Sequence, residues 1–120
     1  MVDFVSLAVI LDINIMHKLK VLTRNNFHKW LESKSPKTKV GLTGEPCSTC
    51  PIFRFLKESN VNVKFVFSFM AVIEHFDRDI PTQFNYIFPN WVTEFIRKVD
   101  DSRKFSSISA SKALKLLKSI

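Results

Sequence analysis

Apolar positions along this chain recur with helical spacing in four places and with strand spacing in one. Phe27, Trp30 and Leu31 stand at i, i+3 and i+4 with Lys29 on the opposite side, which predicts a helix over residues 24–33 capped by Thr23 or Asn25. It ends before Ser35-Pro36, because the residue preceding a proline is pushed out of the helical region. Ile52, Phe55 and Leu56 form a second stripe over residues 51–59, with Pro51 tolerated in the first turn, Ser48 or Thr49 as the cap, and Asn60 as the breaker. A third helix over 90–99 sets Trp91, Val92, Phe95, Ile96 and Val99 against Glu94, Arg97 and Lys98, so Trp91, Phe95 and Ile96 are expected to be nearly fully buried. The fourth, over 109–119, starts at a Ser109 cap and opposes Ala110, Ala113, Leu114, Leu117 and Ile120 to Lys112, Lys115 and Lys118.

Strand spacing is clearest where Val61, Val63, Phe65, Phe67 and Phe69 alternate with Asn62, Lys64, Val66 and Ser68. The apolar run continues through Ile73 without a turn residue, so a long bent strand and a hairpin over 61–76 both fit; Asp77–Asp79 and Ile80-Pro81 then mark a loop. Between the first two helices, Gly41 and Gly44 lie in a segment that reads as polar loop. Residues 1–15 are apolar apart from Asp3, Ser6, Asp12 and Asn14, too short a run to span a bilayer and without the positive start and cleavage site of a secretory signal. They read either as a buried strand or as sequence ahead of a start at Met16. Together these elements predict an α+β fold: a small helix-rich single domain over 1–120, with four short amphipathic helices packed on a strand or bent hairpin at 61–76.

Composition supports one core. Apolar residues make up 46% of the 120, twelve of them Phe, a supply sufficient to fold without metal or disulfide staples. The charge is uneven. Residues 17–39 hold seven Lys/Arg against one Glu and residues 97–120 seven against two Asp, whereas residues 40–96 hold four against six acids. If the two terminal blocks meet, Lys18, Lys20, Lys29, Lys112, Lys115 and Lys118 form one basic surface for an anionic partner, either nucleic acid or an acidic protein. Residues 100–108 make too long a connection without glycine for a helix-turn-helix, and Trp30, Trp91 and the Phe set read as core, not as base-stacking platforms. An uncovered aromatic patch that docks another protein is the competing way to bind a partner.

Reactive chemistry is confined to Cys47-x-x-Cys50 at a helix start, where the helix dipole favours a thiolate. Read with the helix and strand that follow and with Ile80-Pro81-Thr82, the order of pieces over residues 47–88 resembles the thioredoxin fold. The resemblance implies a dithiol redox pair, Cys47 and Cys50, with Pro81 in cis beside the sulfurs. It departs from the family in the Pro that follows Cys50, in the short helix and in the absence of Trp-Cys-Gly-Pro-Cys wording. A zinc site would draw in His75 beside Cys47 and Cys50, although a second ligand pair with suitable spacing is missing. With no phosphate loop, nucleophile elbow or H-E-x-x-H, the expectation is a cytoplasmic, non-enzymatic binding or regulatory module that needs no cofactor. In it Cys50 is packed, Cys47 loosely exposed, and Pro81 distant and trans.

Overall fold

A computed structural model describes residues 19–42, 50–102 and 107–120. Lys18, Cys47 and the strand expected within residues 1–15 lie outside the described residues. The described elements run α1 (Arg24–Glu32), β1 (Lys39–Leu42), α2 (Pro51–Glu58), β2 (Val63–Val66), β3 (Met70–Asp77), β4 (Ile80–Ile87), α3 (Asn90–Ser102), β5 (Ser107–Ser109) and α4 (Ala110–Lys118). The described residues form a small α+β domain with four helices and two antiparallel sheets, ordered β1-β5 and β2-β3-β4.

The helix starts follow local chemistry. The Thr23 hydroxyl accepts from the Asn26 N–H at 3.1 Å and the Ser109 hydroxyl from the Lys112 N–H at 3.2 Å, each satisfying one orphan donor of a first turn. At α2 the cap is Cys50, not Ser48 or Thr49; its sulfur accepts from the Phe53 N–H at 3.4 Å. Proline explains the shift. Pro51 occupies the first turn, the residue before it must be extended, and an N-cap is extended, so Cys50 takes both roles. Asn60 ends the same helix region with φ of 65°, a left-handed conformation that Asn accepts more readily than most residues. Helix α3 continues to Ser102, three residues beyond the expected stop at 99.

Of the two readings of 61–76, strand or bent hairpin, the hairpin is present as β2 and β3, but the alternation does not persist. Val61 and Val63 are buried, whereas Phe65 and Phe69 are 55% and 54% exposed. The cause is a bulge: the register shifts between Val63, opposite Ile73, and Phe65, opposite Val72. An extra residue reverses which side chains face the core, so Val66 turns inward and Lys64 and Phe65 stand exposed together.

Instead of a loop through Pro81, the chain turns in two residues, Arg78 and Asp79, with φ of 50° and 67°. It returns as β4 in unbroken register from Asp77 opposite Ile80 to Met70 opposite Ile87. Positive φ at both turn positions is the geometry that matches strand twist in the shortest hairpins. Two further strands are absent from the hydrophobic pattern. β1 and β5 pair through Gly41 opposite Ile108 and Leu42 opposite Ser107. Ala110 and Ser111 extend the connection by donating to the Thr38 and Pro36 carbonyls at 2.8 and 3.1 Å. Each strand anchors a buried side chain, Val40 and Ile108, and is too short to show a period.

Phe27 lies at the centre of the core, fully buried, with the rings of Phe95 at 5.0 Å and Phe55 at 5.4 Å meeting it edge-on. Trp30 at 5.8 Å and Trp91 at 5.9 Å complete the cluster. Phe95 and Ile96 are buried as expected, while Trp91 is only half-buried. The inner face of the three-stranded sheet contributes Val63, Val66, Ala71 and Ile73 to the same core.

Candidate functional site

Helices α1 and α4, which carry parts of the two basic blocks, pack side by side. Arg24 ties them together: its guanidinium donates to the carbonyls of Leu117 and Ile120, both at 2.9 Å. A cation at a helix start is electrostatically misplaced with respect to its own helix; here it serves the C-terminal carbonyls of another. That mismatch is the signal by which Arg24 is recognisable in the sequence. Two shallow grooves of about 350 and 410 Å³ run along this junction, one lined by Arg24, Asn25, His28, Leu117 and Lys118, the other by residues that include Glu32, Lys34, Lys115 and again Lys118.

Lys115 and Lys118 therefore lie against α1. Lys29 and Lys112 are exposed on α1 and α4 outside the grooves, and Lys20 is exposed ahead of α1. None of these five forms an ion pair with a described residue. Lys98 of α3 reaches the same end of α4, with its ammonium 3.1 Å from the Ser119 hydroxyl.

Other charges near α1 are engaged. Lys34 donates to Glu58 at 2.8 Å and the Trp30 indole donates to the same carboxylate oxygen at 3.2 Å. The Lys34 hydrogen bond holds the Glu58 carboxyl below its ordinary value; the Trp30 bond and the charges of Lys34 and Arg54 act in the same direction, against a smaller opposing effect of burial. His28 and Glu32 meet at 2.9 Å one turn apart. Cationic groups left open on this face thus come mainly from long, flexible lysines.

The described reactive candidates stand on different elements. Cys50 is 8% exposed at the start of α2, where its sulfur is part of the cap. Pro81 is exposed on β4, opposite Phe76 and next to the two-residue turn, and the described chain contains no cis peptide. The strands on either side of the Cys47–Cys50 segment, β1 and β2, belong to different sheets, and both sheets are antiparallel. His75 is half-buried on β3 opposite Thr82. Among the described residues no three His, Cys, Asp or Glu side chains come together as a metal site would require. Among them, too, no helix is long and apolar enough to cross a membrane.

One expectation is overturned outright. The Phe set is not all core: Phe65, Phe69 and Phe76 are more than half exposed, with Ile80 and Ile87. All five belong to the sheet and its turns, not to the basic helical face. No family model matches the chain, and neither a curated protein nor a solved structure matches it.

Proposed function

We propose that this protein is a non-enzymatic binding module whose α1–α4 face holds the phosphate backbone of a nucleic acid. The reading is supported by Lys115 and Lys118 in the grooves between two packed helices, with Lys29 exposed on α1, Lys112 on α4 and Lys20 just ahead, none of them in an ion pair with a described carboxylate. Lysines on flexible stems act as point charges and make sequence-independent phosphate contacts, without the forked geometry that reads base edges. Among the described residues of α1 and α4 no aromatic ring is exposed for bases to stack on, since Phe27 is buried and Trp30 is half-buried and committed to Glu58. The contact is therefore electrostatic and general. A cytoplasmic site of action accompanies this reading, because an intracellular polyanion is the partner.

Fluorescence anisotropy with a short generic duplex tests it. If four or five lysines each neutralise a phosphate, log affinity falls against log salt with a slope of about −4. Reversing Lys112, Lys115 and Lys118 to Glu abolishes binding at salt concentrations where the parent protein binds. No association at about 50 mM salt, where electrostatic binding is strong, refutes the proposal and leaves an acidic protein as the partner of this face.

A further inference from the structure

The outer face of the three-stranded sheet presents an apolar surface unrelated to the basic helices. We infer that it is a self-association surface, covered by the same face of a second copy of this chain. The register defines the face. Phe65 opposes Val72, Met70 opposes Ile87 and Phe76 opposes Pro81, and directly opposed residues share a side of the sheet. Phe65, Phe76 and Ile87 are 55%, 55% and 64% exposed, while their counterparts on the inner face, such as Ala71 and Ile73, are buried.

Area favours a homodimer. Three side chains of this size and exposure, together with Met70, Val72 and Pro81, leave open apolar surface on the order of 500–600 Å². A standard interface covers about 800 Å² per partner, and homodimer interfaces are about 65% apolar, which amounts to roughly 520 Å². A patch of this size also lies at the upper end of what monomers expose.

Charge favours a second copy over a polyanion or an acidic protein. The chain carries +7 overall, yet residues 62–87 contain only Lys64 and Arg78 against Glu74, Asp77 and Asp79. Lys64 and Glu74 meet at 3.5 Å, and the register places Glu74 on the outer face between the Val72 and Phe76 rows. Gln83 and Asn85 share this face, opposite Glu74 and Val72. A row whose two charges cancel within the subunit meets a copy of itself without net repulsion under a two-fold axis that lies in the interface, perpendicular to the strands. The row of Phe65 and Val72 then covers the partner's row of Phe76 and Pro81, and each polar row, its two charges paired within the subunit at 3.5 Å, crosses its own counterpart. Such an isologous contact closes at two subunits. It leaves α1 and α4 unoccupied and does not depend on the nucleic-acid reading.

Sedimentation equilibrium of the full chain tests the inference. The expected mass is twice the 13.9 kDa of the chain at concentrations above about 10 μM, a dissociation constant ordinary for a contact of this size. The double variant Phe65→Ser/Phe76→Ser is expected to sediment as a monomer with unchanged far-UV circular dichroism, since both side chains project away from the core. Should that variant unfold, charge reversal supplies the reading. Lys64→Glu and Glu74→Lys are each expected to weaken self-association at least tenfold, and an equimolar mixture of the two restores a dimer. A parent protein that remains monomeric at about 200 μM, well above that constant, overturns the inference and leaves the face to a different protein. A folded serine variant that still dimerises overturns it as well, and a mixture that stays monomeric overturns the two-fold arrangement.

Discussion

Removing the Phe27 ring should cost this protein a large part of its stability. The side chain is 0% exposed and meets four aromatic rings, those of Phe95, Phe55, Trp30 and Trp91, at centroid distances of 5.0 to 5.9 Å. Phe27→Ala deletes the buried ring and leaves a cavity between helices that relax only in part, a change that costs about 3–5 kcal/mol in comparable cores. The edge-on contacts with Phe95 and Phe55 each add about 0.5–1.5 kcal/mol beyond burial and are lost together, which places the expected value near the upper end, about 4–5 kcal/mol. Against a total stability of about 5–15 kcal/mol for a domain of this size, that is about a quarter or more of the whole. Phe27→Leu keeps most of the apolar volume and should cost only about 1.5 kcal/mol. Urea unfolding followed by tryptophan emission suits both variants, because Trp30 and Trp91 touch the deleted ring. With a slope of about 2 kcal/mol/M, the midpoint of Phe27→Ala should fall by about 2 M relative to the parent. A loss under about 1 kcal/mol would refute Phe27 as the centre of the core, since no well-packed buried phenylalanine is removed at so low a cost.

Glu58 has its carboxyl held below the ordinary value of 4.5, first by the Lys34 hydrogen bond, so it contributes stability above that value and loses it as pH falls through the lowered one. Glu58→Gln should therefore flatten the acid limb of a stability-against-pH curve below pH 4.5, and an unchanged limb would show the contact to be without consequence. At the β3–β4 turn, Arg78→Asn with Asp79→Gly suits the two positive φ angles and should stabilise the domain by about 0.5–1 kcal/mol, read as a higher melting temperature. Cys50→Ser should preserve the α2 cap, because a hydroxyl accepts the Phe53 N–H at least as well as a thiol, whereas Cys50→Ala should cost about 1 kcal/mol; equal unfolding midpoints for the two variants would deny the cap its role.

Local signals along the chain were enough to set the helices and the class of fold. Caps, stripes and stops at Thr23, Asn60 and Ser109 act within a few residues of themselves, so their consequences can be read without knowing what packs on them. The sequence also shows that two segments are rich in lysine and that the middle of the chain is not. Which side of the central sheet faces the core depends on long-range packing, because a single bulge at Lys64 and Phe65 inverts the side chains beyond it and leaves no mark in composition. Packing also decides that β4 exists, since Arg78 and Asp79 adopt turn angles that Asn and Gly announce more plainly, and that Val40 and Ile108 are joined across a pair of strands 68 residues apart in sequence. The same holds for the grooves between α1 and α4. Helical spacing puts Lys115 and Lys118 on α4, but their proximity to α1 rests on Arg24 reaching the carbonyls of Leu117 and Ile120. Such long-range contacts are selected by the packing of the whole core around Phe27, whereas spacing in a linear chain encodes only neighbours.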